Sequence, residues 1–145
     1  MSIVYRIDKE KGYTIVLWEG VVTADEFLTH VRRLSSDAAW PPLGRLHLSD
    51  LHTASLDASM DAAILQAAAD LYGQHPDKIA NTKVAIVAHS AFWKAVEFER
   101  IISQYGAFAI VFNALPTACT WLNLDASEVE SLLQQIRAQA RGRPN

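Results

Sequence analysis

Lys83-Val84-Ala85-Ile86-Val87-Ala88 is the stretch of sequence that decides the fold of this chain. The segment is short and apolar, and its polar and apolar residues do not alternate. Such a run is typical of a strand inside a parallel sheet, because both of its faces are apolar from Val84 onward. It therefore predicts a central strand with helices packed on both sides.

Further strand patterns lie on both sides of this segment. They are predicted at Ile3–Ile7, Tyr13–Trp18, Arg45–Leu51 and Phe108–Phe112. The first two are joined by a short polar loop and indicate a hairpin, and each later strand is followed by a helix pattern. This order predicts an α/β fold with a mixed, mostly parallel five-stranded sheet flanked by helices. We expect a single domain over residues 1–138 and a flexible tail over residues 139–145.

Helix starts and ends are predicted from capping residues and apolar periodicity. Thr23 and Glu26 match a capping box, and Ser90 is placed to cap a helix that continues through Tyr105. Residues 74–82 are predicted as a polar loop. A helix is predicted from about Asp57 to Tyr72, with a buried stripe of Met60, Ile64, Ala67, Ala68 and Leu71.

Composition restricts the class of protein. The 145 residues include 13 basic and 16 acidic side chains, for a net charge of −3. This balance argues against a nucleic-acid surface, which needs concentrated positive charge. No apolar run reaches the length of a membrane span, and no signal peptide pattern begins the chain. The single cysteine, Cys119, excludes an internal disulfide. We expect a cytoplasmic protein without a cofactor.

Polar residues follow the predicted strands at their carboxyl ends, where ligands bind in open α/β sheets. They are Asp50, His52, His89, Ser90 and Asn113. One interpretation is a ligand crevice, and a second is a hydrolase using Asp50, His89 and Ser90. The third is structural, with these side chains capping helices and turns. Ser90 lacks the Gly-x-Ser-x-Gly surroundings of a nucleophile elbow, which disfavours the hydrolase.

A metal site is disfavoured by strand geometry. On an extended strand His47 faces away from Asp50 and His52, so only two of these ligands would converge. Zinc generally takes three or four ligands from the protein. We therefore predict no metal.

The helix that follows Ser90 holds more apolar residues than one face can bury. Phe92, Trp93 and Arg100 are candidates for an exposed interface, and Trp40 in its Pro-rich loop would join them. Aromatic residues and arginine dominate interface hot spots, and a two-fold homodimer is the commonest assembly. The alternative is a tryptophan folded over the edge of the core.

Three segments carry a resemblance to a known family. They are residues 18–27 (WEGVVTADEF), Lys83–Ala88, and Phe112 followed by residues 118–122 (ACTWL). Together they resemble the STAS, or SpoIIAA-like, domain, and more closely the uncharacterised bacterial STAS/Sec14-like proteins. The resemblance covers roughly residues 3–135.

The resemblance implies a non-catalytic regulatory or binding domain that acts through protein–protein contacts, with itself or another protein as partner. Its Sec14-like branch implies an alternative, a small hydrophobic ligand such as a lipid. In the anti-sigma-factor antagonists a serine near the start of the second helix is phosphorylated. Ser59 matches that position and is a candidate phosphoacceptor. Ala58 and Met60 depart from the family's motif, which disfavours the switch.

Overall fold

The computed structural model describes residues 2–142 of the chain. Strands and helices alternate along most of this range. Their bounds are β1 Ile3–Asp8, β2 Tyr13–Trp18, β3 Gly20–Val22, α1 Ala24–Ser36, β4 Leu46–Leu51, β5 Ala54–Leu56, α2 Ala62–Gly73, α3 Pro76–Ile79, β6 Lys83–Ala88, α4 Phe92–Ser103, β7 Phe108–Phe112, α5 Leu115–Leu122 and α6 Ala126–Gly142.

The main sheet has five strands in the order β1-β2-β4-β6-β7. Strands β1 and β2 form the predicted antiparallel hairpin, and every other pair in this sheet is parallel. In the register, Ala85 of β6 lies opposite Leu48 on one side and Ile110 on the other. The mixed, mostly parallel sheet predicted from the sequence is confirmed.

Alternate residues of the sheet point to two different helical layers. On one side, which we call face A, Val16 and Ile86 pack in a core cluster with residues of α1, α2 and α4. On the other side, face B, Ile15 and Ala85 pack with residues of α5 and α6. Residues 84–88 of β6 are all buried. The prediction that this strand is central and covered on both faces is confirmed.

The start and the end of α1 are held by side chains. Thr23 Oγ1 accepts a hydrogen bond from the Glu26 amide at 3.3 Å, and the Thr23 amide donates to the Glu26 carboxylate at 3.4 Å. The predicted capping box is therefore present. At the other end, Lys78 Nζ donates to the carbonyl oxygens of Ser35 and Asp37. A cation there satisfies carbonyls that have no partner inside the helix.

The second helix begins at a different residue from the one predicted, and it buries a different face. It begins at Ala62, where Asp61 caps it through the Ile64 amide, and not near Asp57. Its buried residues are Leu65, Ala68, Ala69 and Tyr72. The predicted stripe was therefore rotated, because an alanine-rich helix offers little contrast between its faces.

Other differences concern short elements. Strands β3 and β5 pair in parallel as a separate two-stranded sheet that the sequence patterns did not predict. The predicted polar loop contains α3, a single helical turn. Ser90 does not cap α4, whose N-cap is Ala91, and this helix ends at Ser103. Helix α6 continues through Gly142, so residues 139–142 of the predicted tail are helical, and residues 143–145 lie outside the described range.

Within residues 2–142, no helix combines the length and the apolar character that crossing a membrane requires.

The capping box gives a test of the α1 assignment. We expect Thr23→Ala to lower the free energy of unfolding by about 1 kcal/mol, because an amide of the first turn loses its acceptor. Urea denaturation monitored by circular dichroism measures the change. Thr29→Ala, at an exposed position of the same helix, is the matched control and should not destabilise the protein. Equal destabilisation by both variants would contradict the capping role.

Candidate functional site

A cavity lies between face A of the sheet and the helices α1, α2 and α4. The cavity has a volume of about 60 Å³. Its wall is mainly apolar, and its aromatic members are Trp18, Phe27, Trp40, Tyr72 and Phe98. Aliphatic side chains of β4, β6, α2 and α4 complete the wall. Apolar lining with a few polar groups is the usual composition of a small-molecule site.

Two histidines of the cavity wall are buried and neutral. Burial, together with the nearby charges of His47 and Arg33, lowers the pKa of His30 to about 3. Burial lowers the pKa of His47 to about 4. The imidazole of His30 meets the rings of Tyr5 and Trp18 in edge-on contacts, with centroids 5.9 and 6.1 Å apart. The cavity therefore disfavours positive charge at these positions.

Three polar atoms in this wall have no hydrogen-bond partner among the described residues. They are Trp18 Nε1, Trp40 Nε1 and His47 Nδ1. Their side chains belong to residues only 6, 2 and 6% exposed. His47 does use its other ring nitrogen, since Nε2 lies 3.1 Å from Ser49 Oγ. Because an unpaired buried polar group costs roughly 1–3 kcal/mol, this cluster offers hydrogen-bonding capacity to a molecule inside the cavity.

One side of the cavity approaches solvent. Leu56, Lys94 and Phe98 are half-buried, whereas the other lining residues are buried. Lys94 Nζ donates a hydrogen bond to the carbonyl oxygen of Met60, which also lines the cavity. This contact joins α4 to the turn before α2. No carboxylate belongs to the described lining, so Lys94 is its one charged member.

The predicted crevice at the carboxyl ends of the strands is partly formed. Asp50, His52 and Asn113 line one open groove of about 420 Å³ beside α6, together with Glu130 and Arg137. Burial raises the pKa of Asp50, and its Oδ1 accepts a hydrogen bond from the His52 amide at 3.0 Å. Asp50 therefore orders its own turn, as the structural interpretation expected.

The other two crevice residues do not line this groove. His89 is exposed, with its ring 5.9 Å from that of His52. Ser90 Oγ donates to the carbonyl oxygen of Ala54 at 3.0 Å. The hydrogen bonds of Asp50 and Ser90 thus go to backbone groups, and His89 does not link the two as a catalytic triad requires.

The residues considered as metal ligands do not converge. His47 lies on face A beside Ser49, and Asp50 lies in the groove beside α6. Within residues 2–142, no cluster of three or more His, Cys, Asp or Glu side chains is arranged to hold a metal ion.

Ser59 lies in the turn between β5 and α2, and not in the first turn of a helix. Its hydroxyl accepts a hydrogen bond from the Ala24 amide at 2.9 Å and donates to the carboxylate of Asp57. The side chain is exposed. It therefore connects this turn to the first residue of α1, and its role as a phosphoacceptor stays a prediction.

The candidate interface residues differ in their exposure to solvent. Trp93 is 78% exposed, and its ring centroid is 5.3 Å from that of the half-buried Phe92. Arg100 is exposed on the same helix. Trp40 is only 2% exposed and packs against Tyr72, so the prediction that Trp40 joins an exposed surface is wrong. The indole packs against Tyr72 of α2, and this contact keeps Trp40 buried although a Pro-Pro sequence follows it.

Sequence reasoning missed the cavity, because its wall combines residues from distant segments. One signal was present in the sequence. His30 follows Phe27 at helical spacing and lies on the apolar stripe of α1. A histidine at such a position is expected to be buried. Trp18 ends a strand whose six residues are all buried. Only the topology shows that these residues and Trp40 line one space.

Comparisons with known proteins support the fold. Neither the models of protein families nor the curated proteins gave a match to this chain. Among solved structures, the chain is similar to a protein of the DUF3478 family from Shewanella loihica, described as uncharacterized and as having a SpoIIAA-like fold. The match has 17% identity and a TM-score of 0.53, and covers 83% of this chain and 93% of that one. The SpoIIAA-like fold expected from the sequence is confirmed.

The buried histidines predict a loss of stability in acid. Their ordinary pKa near 6.5 applies to the unfolded chain, which therefore binds more protons than the folded one below that pH. Stability should fall as the pH drops through about 6.5, and should continue to fall until about pH 4 for His47 and pH 3 for His30. We expect each histidine to contribute a loss of about 2 kcal/mol between pH 7 and pH 5.

Urea denaturation at both pH values measures this loss. His30→Gln and His47→Gln, which remove the titrating groups, should each reduce the difference between the two pH values. Gln74→Asn, at an exposed residue outside the cavity lining that carries no titrating group, is the control and should leave the difference unchanged. The interpretation is wrong if both cavity variants keep the full pH dependence.

Proposed function

We propose that this chain is a non-catalytic binding domain that holds a small, mainly apolar molecule in the cavity between face A and the helices α1, α2 and α4. The observation that carries the proposal is the set of three unpaired polar atoms, on Trp18, Trp40 and His47, in one buried aromatic wall. A protein core without a ligand role is normally close-packed and has its buried polar groups satisfied. This region departs from both rules at the same place.

The two faces of the sheet support the choice of this region. On face B, Cys119, Leu122 and Val129 belong to a cluster that packs directly on β6, and each is at most 2% exposed. The space on face A is bordered by the half-buried α4 residues Lys94 and Phe98, which offer a route from solvent. A ligand bound there would supply van der Waals contacts that the wall residues otherwise lack.

The size of the cavity limits the ligand. Sites for drug-sized molecules typically enclose about 300–1,000 Å³, well above the volume of about 60 Å³ here. The Sec14-like alternative of the sequence analysis, a lipid, would require α4 to move away from the sheet. The dimensions as they stand favour a molecule much smaller than a lipid.

A second candidate function is contact with a protein, for which the exposed indole of Trp93 is the supporting observation. An exposed tryptophan next to Phe92, with Arg100 on the same helix, has the composition of an interface hot spot. The simplest partner is a second copy of the chain. A cytoplasmic location and phosphorylation of Ser59 remain predictions attached to these proposals.

Filling the cavity tests the first proposal. Toluene serves as a minimal apolar probe, and at about ten times its dissociation constant it should raise the melting temperature by about 4 °C. Ala95→Leu places added volume in the cavity wall and should abolish this shift. Ala138→Leu, at an exposed site on α6, is the matched control and should keep it. No shift in the unmodified protein would refute the proposal.

Removing the exposed indole tests the second candidate. If Trp93 is central to a homodimer, Trp93→Ala should weaken self-association at least tenfold in sedimentation equilibrium, since hot-spot truncations cost about 2 kcal/mol or more. Phe108→Ala, at an aromatic residue 57% exposed on β7, is the control and should leave the association constant unchanged. A protein that is monomeric at high concentration would rule out the homodimer.

A further inference from the structure

We infer that the ligand of the cavity is an uncharged molecule of about one aromatic ring, whose hydroxyl group lies against Trp40 and His47. This inference rests on the proposed function and adds the chemical class of the ligand. It comes from the hydrogen-bonding capacity, the charge and the size of the described wall.

The hydroxyl follows from two neighbouring polar groups that lack a hydrogen-bond partner. The rings of Trp40 and His47 are 6.3 Å apart and nearly perpendicular, at 85°. The indole Nε1–H can only donate a hydrogen bond, whereas a neutral imidazole nitrogen either donates or accepts. Ser49 Oγ, 3.1 Å from His47 Nε2, can accept from that nitrogen or donate to it, so Nδ1 is either an acceptor or a donor depending on the tautomer of the ring. A hydroxyl has one donor and two acceptor lone pairs, so it can accept from the indole and satisfy His47 Nδ1 in either tautomer.

The absence of charge follows from the surroundings of these two rings. Both histidines of the wall, His30 and His47, are held in the neutral form by burial. The one charged residue of the described lining is Lys94, whose ammonium group is bound to the Met60 carbonyl on the half-buried side. A carboxylate at Trp40 would be desolvated, and the one cation of the described lining already donates to a backbone carbonyl on the half-buried side, so a charged ligand is disfavoured there.

The single ring follows from the volume and the lining. The volume of about 60 Å³ is smaller than the roughly 150 Å³ of an apolar cavity that binds benzene, so one ring is the upper limit, and seating it requires the half-buried side at Lys94 and Phe98 to move outward. Rings from Trp18, Phe27 and Phe98 face the same space and favour an aromatic partner through edge-to-face contacts.

The test compares three single-ring probes of one shape, which are p-cresol, p-xylene and p-toluate. Isothermal titration calorimetry with the full chain should show p-cresol binding roughly tenfold more tightly than p-xylene, because only the hydroxyl reaches both unpaired atoms. p-Toluate should show no measurable binding. Trp40→Phe should bring the ratio of p-cresol to p-xylene close to one while p-xylene binds within about threefold of its original affinity. Trp93→Phe, which removes an exposed indole, should keep the tenfold ratio.

Indole resonances give a second readout that a merely structural tryptophan would not show. In ¹H–¹⁵N spectra, the Nε1–H peak of Trp40 should shift with p-cresol and shift much less with p-xylene, while the peak of Trp93 stays in place. This measurement uses the unmodified protein and decides the matter if Trp40→Phe does not fold.

The outcomes separate this inference from the proposed function. Equal binding of p-xylene and p-cresol, or preferred binding of p-toluate, would overturn the inference and leave a ligand cavity in place. Decanoate is titrated as a fourth probe, and tighter binding of decanoate than of all three rings would overturn the inference in favour of an acyl chain. If none of these probes binds, both the inference and the proposed function are wrong, and toluene then also fails to shift the melting temperature.

Discussion

The burial of β6 on both faces is the constraint on which the rest of the structure depends. Residues 84–88 have no face suited to water, so helices must cover the sheet from both sides. Parallel pairing with β4 and β7 supplies this strand with hydrogen-bond partners on both edges, and crossover connections then carry the chain over the sheet. The helical layers are therefore needed to keep the central strand away from water. Each helix also has an apolar face of its own that must be buried.

The two layers meet that requirement differently. On face B, small and medium side chains of α5 and α6 reach the sheet directly. On face A, large aromatic residues stand between the sheet and three helices, and their rings do not fill the space completely. A rigid ring beside a gap loses van der Waals contacts on the side that faces the gap. A domain of this size has little stability to lose, so such a gap, with unpaired polar atoms in its wall, is an unusual feature of its core.

Sequence reasoning succeeded where a local pattern determined the outcome. The apolar run at residues 83–88 and the capping pair Thr23 and Glu26 were predicted because each depends on neighbours along the chain. The face of α2 was misjudged because alanine packs equally well on several sides of a helix. Strands β3 and β5 are three residues each, too short for a periodicity to appear. The SpoIIAA-like fold was thus predictable, and these local details were not.

The candidate site was less predictable than the fold. The strand ends named from topology did produce a groove at Asp50, His52 and Asn113, but the orientation of Ser90 depends on its bond to Ala54, a residue of an unpredicted strand. The cavity wall joins His30, Trp40 and residues far from both, so only three-dimensional packing reveals it.

The turn over residues 57–61 has a consequence for how the helical layer of face A is held together. Through Ser59 it holds the first amide of α1, and through the Met60 carbonyl it holds the ammonium group of α4. Neither contact belongs to the main sheet, so this turn connects α1 to α4 independently of the strand hydrogen bonds. A substitution in the turn would therefore loosen the helical layer of face A and leave the strand register unchanged.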